Sequence, residues 1–241
     1  MSRIAYPMRF ILLLGLLWAL TGVALGDDAF TVANPLTGQT EAVWSAVLPG
    51  SSAEIFYSVL QGSGWSPSER ITSNSLPDQE PHLAISSSGD RKAVWWKDGT
   101  VDAVFFAEKP ASGGSWSTPS QVSDGQENAR SPQVATSFGM ALVAYEGVPA
   151  SGYRKVIVAK EDSPDPWART LVATSSQSTP LSIRIHKESG HIWIDWIDSN
   201  NHLGWSEYVY GYWGTAQYES YSGPNDITPG RARIRSDVLG E

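Results

Sequence analysis

The chain has 241 residues, a net charge of −8 and a pI near 5.0, with 41% hydrophobic and 17% charged residues. This is a globular composition, and its acidic balance excludes a nucleic-acid or anionic-membrane surface as the main partner. The absence of cysteine rules out disulfides, thiolate metal sites, a Cys nucleophile and cysteine lipidation.

Residues 1–26 read as a secretory leader. Arg3 and Arg9 supply the positive region, Phe10 to Leu20 the apolar run, and Ala24-Leu25-Gly26 the small residues a signal peptidase accepts. The run is short for a spanning helix, which needs about 20 apolar residues. Export without cysteine fits a bacterial secreted or periplasmic protein, with no membrane span once the leader is removed.

The rest of the chain is a repeat. Gly38, Gly89, Gly139 and Gly190 are each followed six residues later by an aromatic: Trp44, Trp95, Tyr145 and Trp196. A second aromatic ladder runs Trp65, Trp116, Trp167 and Trp213, and a proline ladder Pro81, Pro132, Pro180 and Pro229. All three share a period of about 50 residues, the length of a propeller blade. In the second unit the four expected strands are His82–Ile85, Lys92–Trp96, Asp102–Ala107 and Trp116–Val122. No segment of the body shows a sustained helical period, so the expected fold is an all-β propeller of about four four-stranded blades. The blades are placed at about 29–76, 77–127, 128–177 and 178–224, with Phe30-Thr31-Val32-Ala33 aligned on Pro81-His82-Leu83-Ala84. An extra strand at about 230–236 begins a fifth repeat, and Arg231, Arg233 and Arg235 fall on one of its faces. Two readings of it stay open: it completes the first blade, or it joins subunits into a homo-oligomer.

The pattern Pro-x-x-Ala, Gly-x5-Trp and Gly-x-Trp-Ser-x-Pro resembles the repeats of sialidase-superfamily propellers. It is clearest at Gly62-Ser63-Gly64-Trp65-Ser66-Pro67 and Gly114-Ser115-Trp116-Ser117-Thr118-Pro119. The resemblance implies a propeller from a group that holds glycosidases, lectins and secreted proteins of no assigned activity. It carries over no catalytic residue. The Asp-box Ser-x-Asp-x-Gly-x-x-Trp is absent, no Tyr–Glu nucleophile pair can be placed, and four blades are fewer than the six of those enzymes.

The residues that break the repeat point to a site. Asp195 stands where the other units have Val43, Val94 and Ala144, so it either contacts a ligand or pairs with Arg184 on the preceding strand. Trp96 and Lys97, Glu146, and Asp198 follow the aromatic of the second strand and vary between units, as a binding rim on a regular scaffold would. The tryptophan ladder is either blade packing or a set of sugar platforms. His186 and His191 could meet Asp195 or Asp198, but there is no metal-ligand spacing and no cofactor motif. The reading is a secreted or periplasmic binding module with glycans as the first ligand class and another secreted protein as the second. The alternatives are a sialidase-like glycoside hydrolase with an unrecognised site, and a structural or assembly subunit.

Overall fold

The computed structural model describes residues 29–161, 167–175, 182–188, 191–197, 202–209 and 211–220, all of them in strands, turns or loops. The leader, Asp198 and the 230–236 strand lie outside the described residues.

Four antiparallel sheets follow one another along the chain. Blade 1 holds β1 (Phe30–Ala33), β2 (Thr40–Val47), β3 (Ala53–Gln61), β4 (Gly64–Trp65) and β5 (Glu69–Arg70). Blade 2 holds β6 (Asp78–Ile85), β7 (Arg91–Lys97), β8 (Ala103–Lys109) and β9 (Ser120–Gln121). Blade 3 holds β10 (Asn128–Ser137), β11 (Met140–Val148), β12 (Lys155–Glu161) and β13 (Trp167–Thr174). Blade 4 holds β14 (Ser182–Glu188), β15 (His191–Ile197), β16 (His202–Val209), β17 (Tyr212–Trp213) and β18 (Gln217–Ser220). The first strands pack in the order β1, β6, β10, β14 and so form the inner wall. This is the expected all-β propeller arrangement. The inner position of blade 1 is filled by its own β1.

Alternation along each second strand decides what covers what. Val43, Val94 and Ala144 face the following blade, while Trp95, Tyr145 and Trp196 face the preceding one. All six are at most 2% exposed. In the first three blades the glycine six residues before the aromatic closes the inner hairpin with left-handed backbone, at φ 72° for Gly38, 88° for Gly89 and 82° for Gly139. Gly204 has a different task. The Trp196 indole lies on it so closely that a Cβ there would collide with the ring.

Trp116, Trp167 and Trp213 are blade-to-blade packing, whereas Trp65 packs on the buried cluster of its own blade. Trp116 meets Tyr57 edge-on at 5.3 Å and 75°, and Trp167 meets Phe106 at 5.1 Å and 76°. Tyr57 and Phe106 pair with Val43 and Val94, so the two contacts are one contact repeated. Such pairs add about 0.5–1.5 kcal/mol beyond area burial. Trp213 packs into the corresponding cluster between blades 3 and 4.

Two expectations are corrected. The fourth strand of blade 2 covers only Ser120–Gln121, because Gly113 and Gly114 turn the chain and Trp116 leaves the ladder to reach Tyr57. The first-strand alignment is one residue out. Phe30 pairs with Val43 as His82 pairs with Val94, so Phe30 matches His82 and not Pro81. The extra residue lies in the inner hairpin, whose connection runs over 34–39 in blade 1 and over 86–90 in blade 2.

Charge also ties the blades. Glu41, fully buried, accepts from both Nε and Nη2 of Arg91 at 3.0 and 2.8 Å, from Asn34 at 2.6 Å and from the Tyr57 hydroxyl at 2.5 Å. Burial pushes its carboxyl up, but the donors outweigh that and hold it below the usual carboxylate range. The next interface uses Lys92, which bridges Glu108 and Glu161 at 2.9 and 3.0 Å. Truncating Arg91 to Ala leaves Glu41 buried without its counter-charge, a loss of about 3–5 kcal/mol. Urea unfolding should show it, and an unchanged midpoint would mean the pair carries no such role.

Candidate functional site

A cavity of about 270 Å³ opens at the end of the inner wall where β1, β6 and β10 begin. It is lined by the same stretch of three consecutive blades: Ala29 and Phe30, Glu80 to His82, and Ser131 to Gln133. Two of these stretches are bulges. Register jumps from Gln79 to His82 in blade 2 and from Arg130 to Gln133 in blade 3. Proline tolerates such a place because a bulge leaves a residue out of the ladder, which accounts for Pro81 and Pro132.

The bulges hold side chains in unfavourable backbone. Glu80 has φ 48° and Ser131 φ 51°, whereas ten other left-handed positions among the described residues are glycines. A non-glycine residue there costs on the order of 1–3 kcal/mol. Both also precede proline, which favours extended backbone at that position.

His82 is the buried histidine of the lining. Its ring lies 3.7 Å from that of Phe30 between centroids, and its Nδ1 accepts the Val134 amide at 3.3 Å. The proton of the neutral imidazole is therefore on Nε2. Burial pushes its pKa down to about 3, so the ring stays neutral at ordinary pH. Asp78, fully buried just before the blade-2 bulge, accepts from Trp95 Nε1 at 3.0 Å and Asn74 Nδ2 at 2.6 Å. Burial holds its carboxyl above the usual range.

The residues singled out by sequence lie elsewhere. Trp96 and Lys97 pair with Gln79 and Asp78, at the cavity end of the sheet but one strand further out. Trp96 is 7% exposed and lies under the Arg130 guanidinium, 5.0 Å from its ring centre. Lys97 places its ammonium 4.1 Å above the Phe105 ring. Glu146, the cross-strand neighbour of Arg130, is buried and lies 3.4 Å from Arg154. Asp195 meets His186 at 2.9 Å and Arg184 at 3.7 Å, the ion pair expected from the preceding strand. Neither Glu146 nor Asp195 lines the cavity. His191 turns away to Glu207, and among the described residues no three ligating side chains could hold a metal.

The cavity residues Phe30, His82 and Gln133 were missed because they repeat in place and differ in type. The signal was present on the first strands: one register position, pairing with Val43, Val94 and Ala144, carries three unlike residues.

No family model matches the chain and no curated protein does. Solved structures do. An intramolecular trans-sialidase from Ruminococcus gnavus matches with TM-score 0.59 and 7% identity over 80% of this chain and 70% of its own. Trypanosoma rangeli sialidase matches with TM-score 0.54 and 13% identity, over 80% of this chain but only 38% of its own. An α-L-arabinofuranosidase from Clostridium thermocellum matches with TM-score 0.53 and 10% identity, over 80% and 72%. At these identities the likeness is one of fold, and it agrees with the sialidase-like repeat seen in the sequence.

Two measurements follow. Below pH 6.5 the unfolded chain takes up a proton on His82 that the folded chain refuses until about pH 3, so stability falls with acidification. Between pH 6.5 and 5 the wild type should lose about 1.5 kcal/mol more than His82→Gln. Parallel stability curves for the two would show that His82 titrates normally. Separately, Glu80→Gly and Ser131→Gly should each raise the melting temperature, by relief of about 1 kcal/mol. Lower melting temperatures would mean these side chains hold the bulges rather than strain them.

Proposed function

We infer that this chain is a secreted or periplasmic propeller that binds carbohydrate through the end-on cavity and does not transform it. The observation that carries this is the construction of the cavity from one strand position in three blades, with side chains kept where the backbone favours glycine. An aromatic wall beside a few hydrogen-bonding groups is what a sugar ring needs. The solved structures of the same fold include a trans-sialidase, an exo-1,5-α-L-arabinanase and a levansucrase, each acting within carbohydrate chemistry by its own name. Glu80 is the one carboxylate among the described residues lining the cavity, whereas glycoside hydrolysis uses two, about 5–9.5 Å apart. Glu146 and Asp195 are committed to neighbouring cations.

A protein partner at the opposite end is the second reading. It rests on Phe138, 99% exposed at the tip of the β10–β11 hairpin with φ 49° where the other hairpins carry Thr37 and Ser88.

The test is a glycan array on the purified protein, followed by calorimetry on the best binder. Phe30→Ala should weaken binding at least tenfold, and Lys97→Ala should leave it within twofold. If no glycan is retained, the carbohydrate reading is wrong. If Lys97 matters and Phe30 does not, the site is the outer rim.

A further inference from the structure

We propose that the junction of blades 1 and 2 holds a proton-operated clamp, in which Asp78 seats the blade-2 bulge while it carries a proton and loosens it on ionising. This does not depend on what the cavity binds. The register of β6 breaks after Gln79, and Asp78 is the residue before it. Its groups reach both blades. Its carbonyl accepts the Ser45 hydroxyl of β2 at 2.8 Å, Oδ1 accepts Trp95 Nε1 at 3.0 Å, and Oδ2 accepts Asn74 Nδ2 at 2.6 Å. Asn74 also donates its backbone N–H to Glu54 of β3 at 2.9 Å, so one residue joins two carboxyls, both fully buried. Packing alone does not ask for an acid here, since the corresponding position of blade 3 is Ala129, equally buried.

The two carboxyls differ in company. Glu54 has a cation, Arg70 Nη2 at 2.7 Å, and takes the single Thr72 hydroxyl proton at 2.6 Å. Asp78 meets the neutral donors of Trp95 and Asn74, while Lys97, its cross-strand neighbour, puts its ammonium over the Phe105 ring instead. The charged groups around it are thus Glu54 on β3, Arg70 on β5 and Lys97 on β7. Glu80 follows two residues on, and Asp98, whose N–H bonds Pro77, follows Lys97; both are exposed. A buried anion without a counter-ion is costly, and a like charge beside it adds to the cost. Burial, with Glu54 adding to it, pushes the Asp78 carboxyl up against the pull of Thr72, Asn74 and Lys97. The folded chain therefore keeps this proton above about pH 3.9, where the unfolded chain has lost it. As pH rises through the folded value, that contribution to stability is lost, opposite in sign to the contribution of His82. An ionised Asp78 must draw in water or move away from Glu54, and either shift acts one residue before the register break.

The experiment is an NMR titration of the whole chain, following the Trp95 Nε1–H signal together with the backbone amides of Gln79 and Glu80. In the wild type all three should move with one midpoint, above the ordinary aspartate value of about 3.9. Glu54→Gln should lower that midpoint by roughly 0.5 or more in pH, by removing the like charge. Asp78→Asn should abolish the step at Trp95 and at the bulge alike. A Trp95 signal that stays still, or moves only at or below the ordinary value, would overturn the inference. So would bulge amides that keep the step in Asp78→Asn, since Glu80 or His82 would then be its source. A midpoint that Glu54→Gln leaves in place would overturn the coupling of the two carboxyls. If Asp78→Asn does not fold, the wild-type and Glu54→Gln titrations decide by themselves.

Discussion

A four-stranded sheet has two faces and cannot bury either by itself, and this constraint organises the whole molecule. Blades 1 to 3 solve it by offering a small β-branched or alanine face forward, and blades 2 to 4 by offering an aromatic face backward. Val43 meets blade 2, Val94 meets blade 3 and Ala144 meets blade 4, while Trp95, Tyr145 and Trp196 return the contact. Small against large lets the sheets interlock without voids. The outer tryptophans extend the same backward contact to the rim, and the buried Glu41–Arg91 pair fixes how blades 1 and 2 register.

The same rule explains the residue that departs most from the repeat. Asp195 occupies the forward-facing position of blade 4, and no described blade follows it. The position carries a carboxylate paired with His186 and Arg184, with the His191–Glu207 pair on the same face. Trp193, Trp205 and Ile197 share this face, so it is mixed rather than purely polar. Blade 1 is unlike this at its backward face, where Ala42, Trp44, Ala46 and Phe56 form a buried apolar cluster. The two ends of the array are therefore chemically different, and β14 does not pack on β1 as the other neighbouring inner strands pack on each other.

What the sequence could reveal followed from what repeats. Gly38, Gly89 and Gly139 are needed at equivalent left-handed turns, and the second-strand aromatics at equivalent interfaces, so both ladders stood out. The site was hard to read for the opposite reason. Its residues come from segments about 50 apart, and a function needs them to differ. Variation after the second-strand aromatic drew attention to Trp96, Lys97 and Glu146, but those positions are filled by packing and ion pairs. The bulges escaped notice because an inserted residue leaves a proline in view and hides the change of register, and β1 was aligned one residue out because its hairpin with β2 is one residue longer than that of β6 with β7.

The proline ladder then takes on a double meaning. Pro81 and Pro132 mark where the inner strands break their pairing, and the residue before each is forced into backbone that glycine would occupy at less cost. Glycine is plentiful in this chain and fills ten other positions of that kind. Its absence at Glu80 and Ser131 is thus not a shortage of glycine. A purely structural bulge would gain from losing these side chains. A cavity that uses the residues at its mouth would not, and the strain is then the cost of keeping them there.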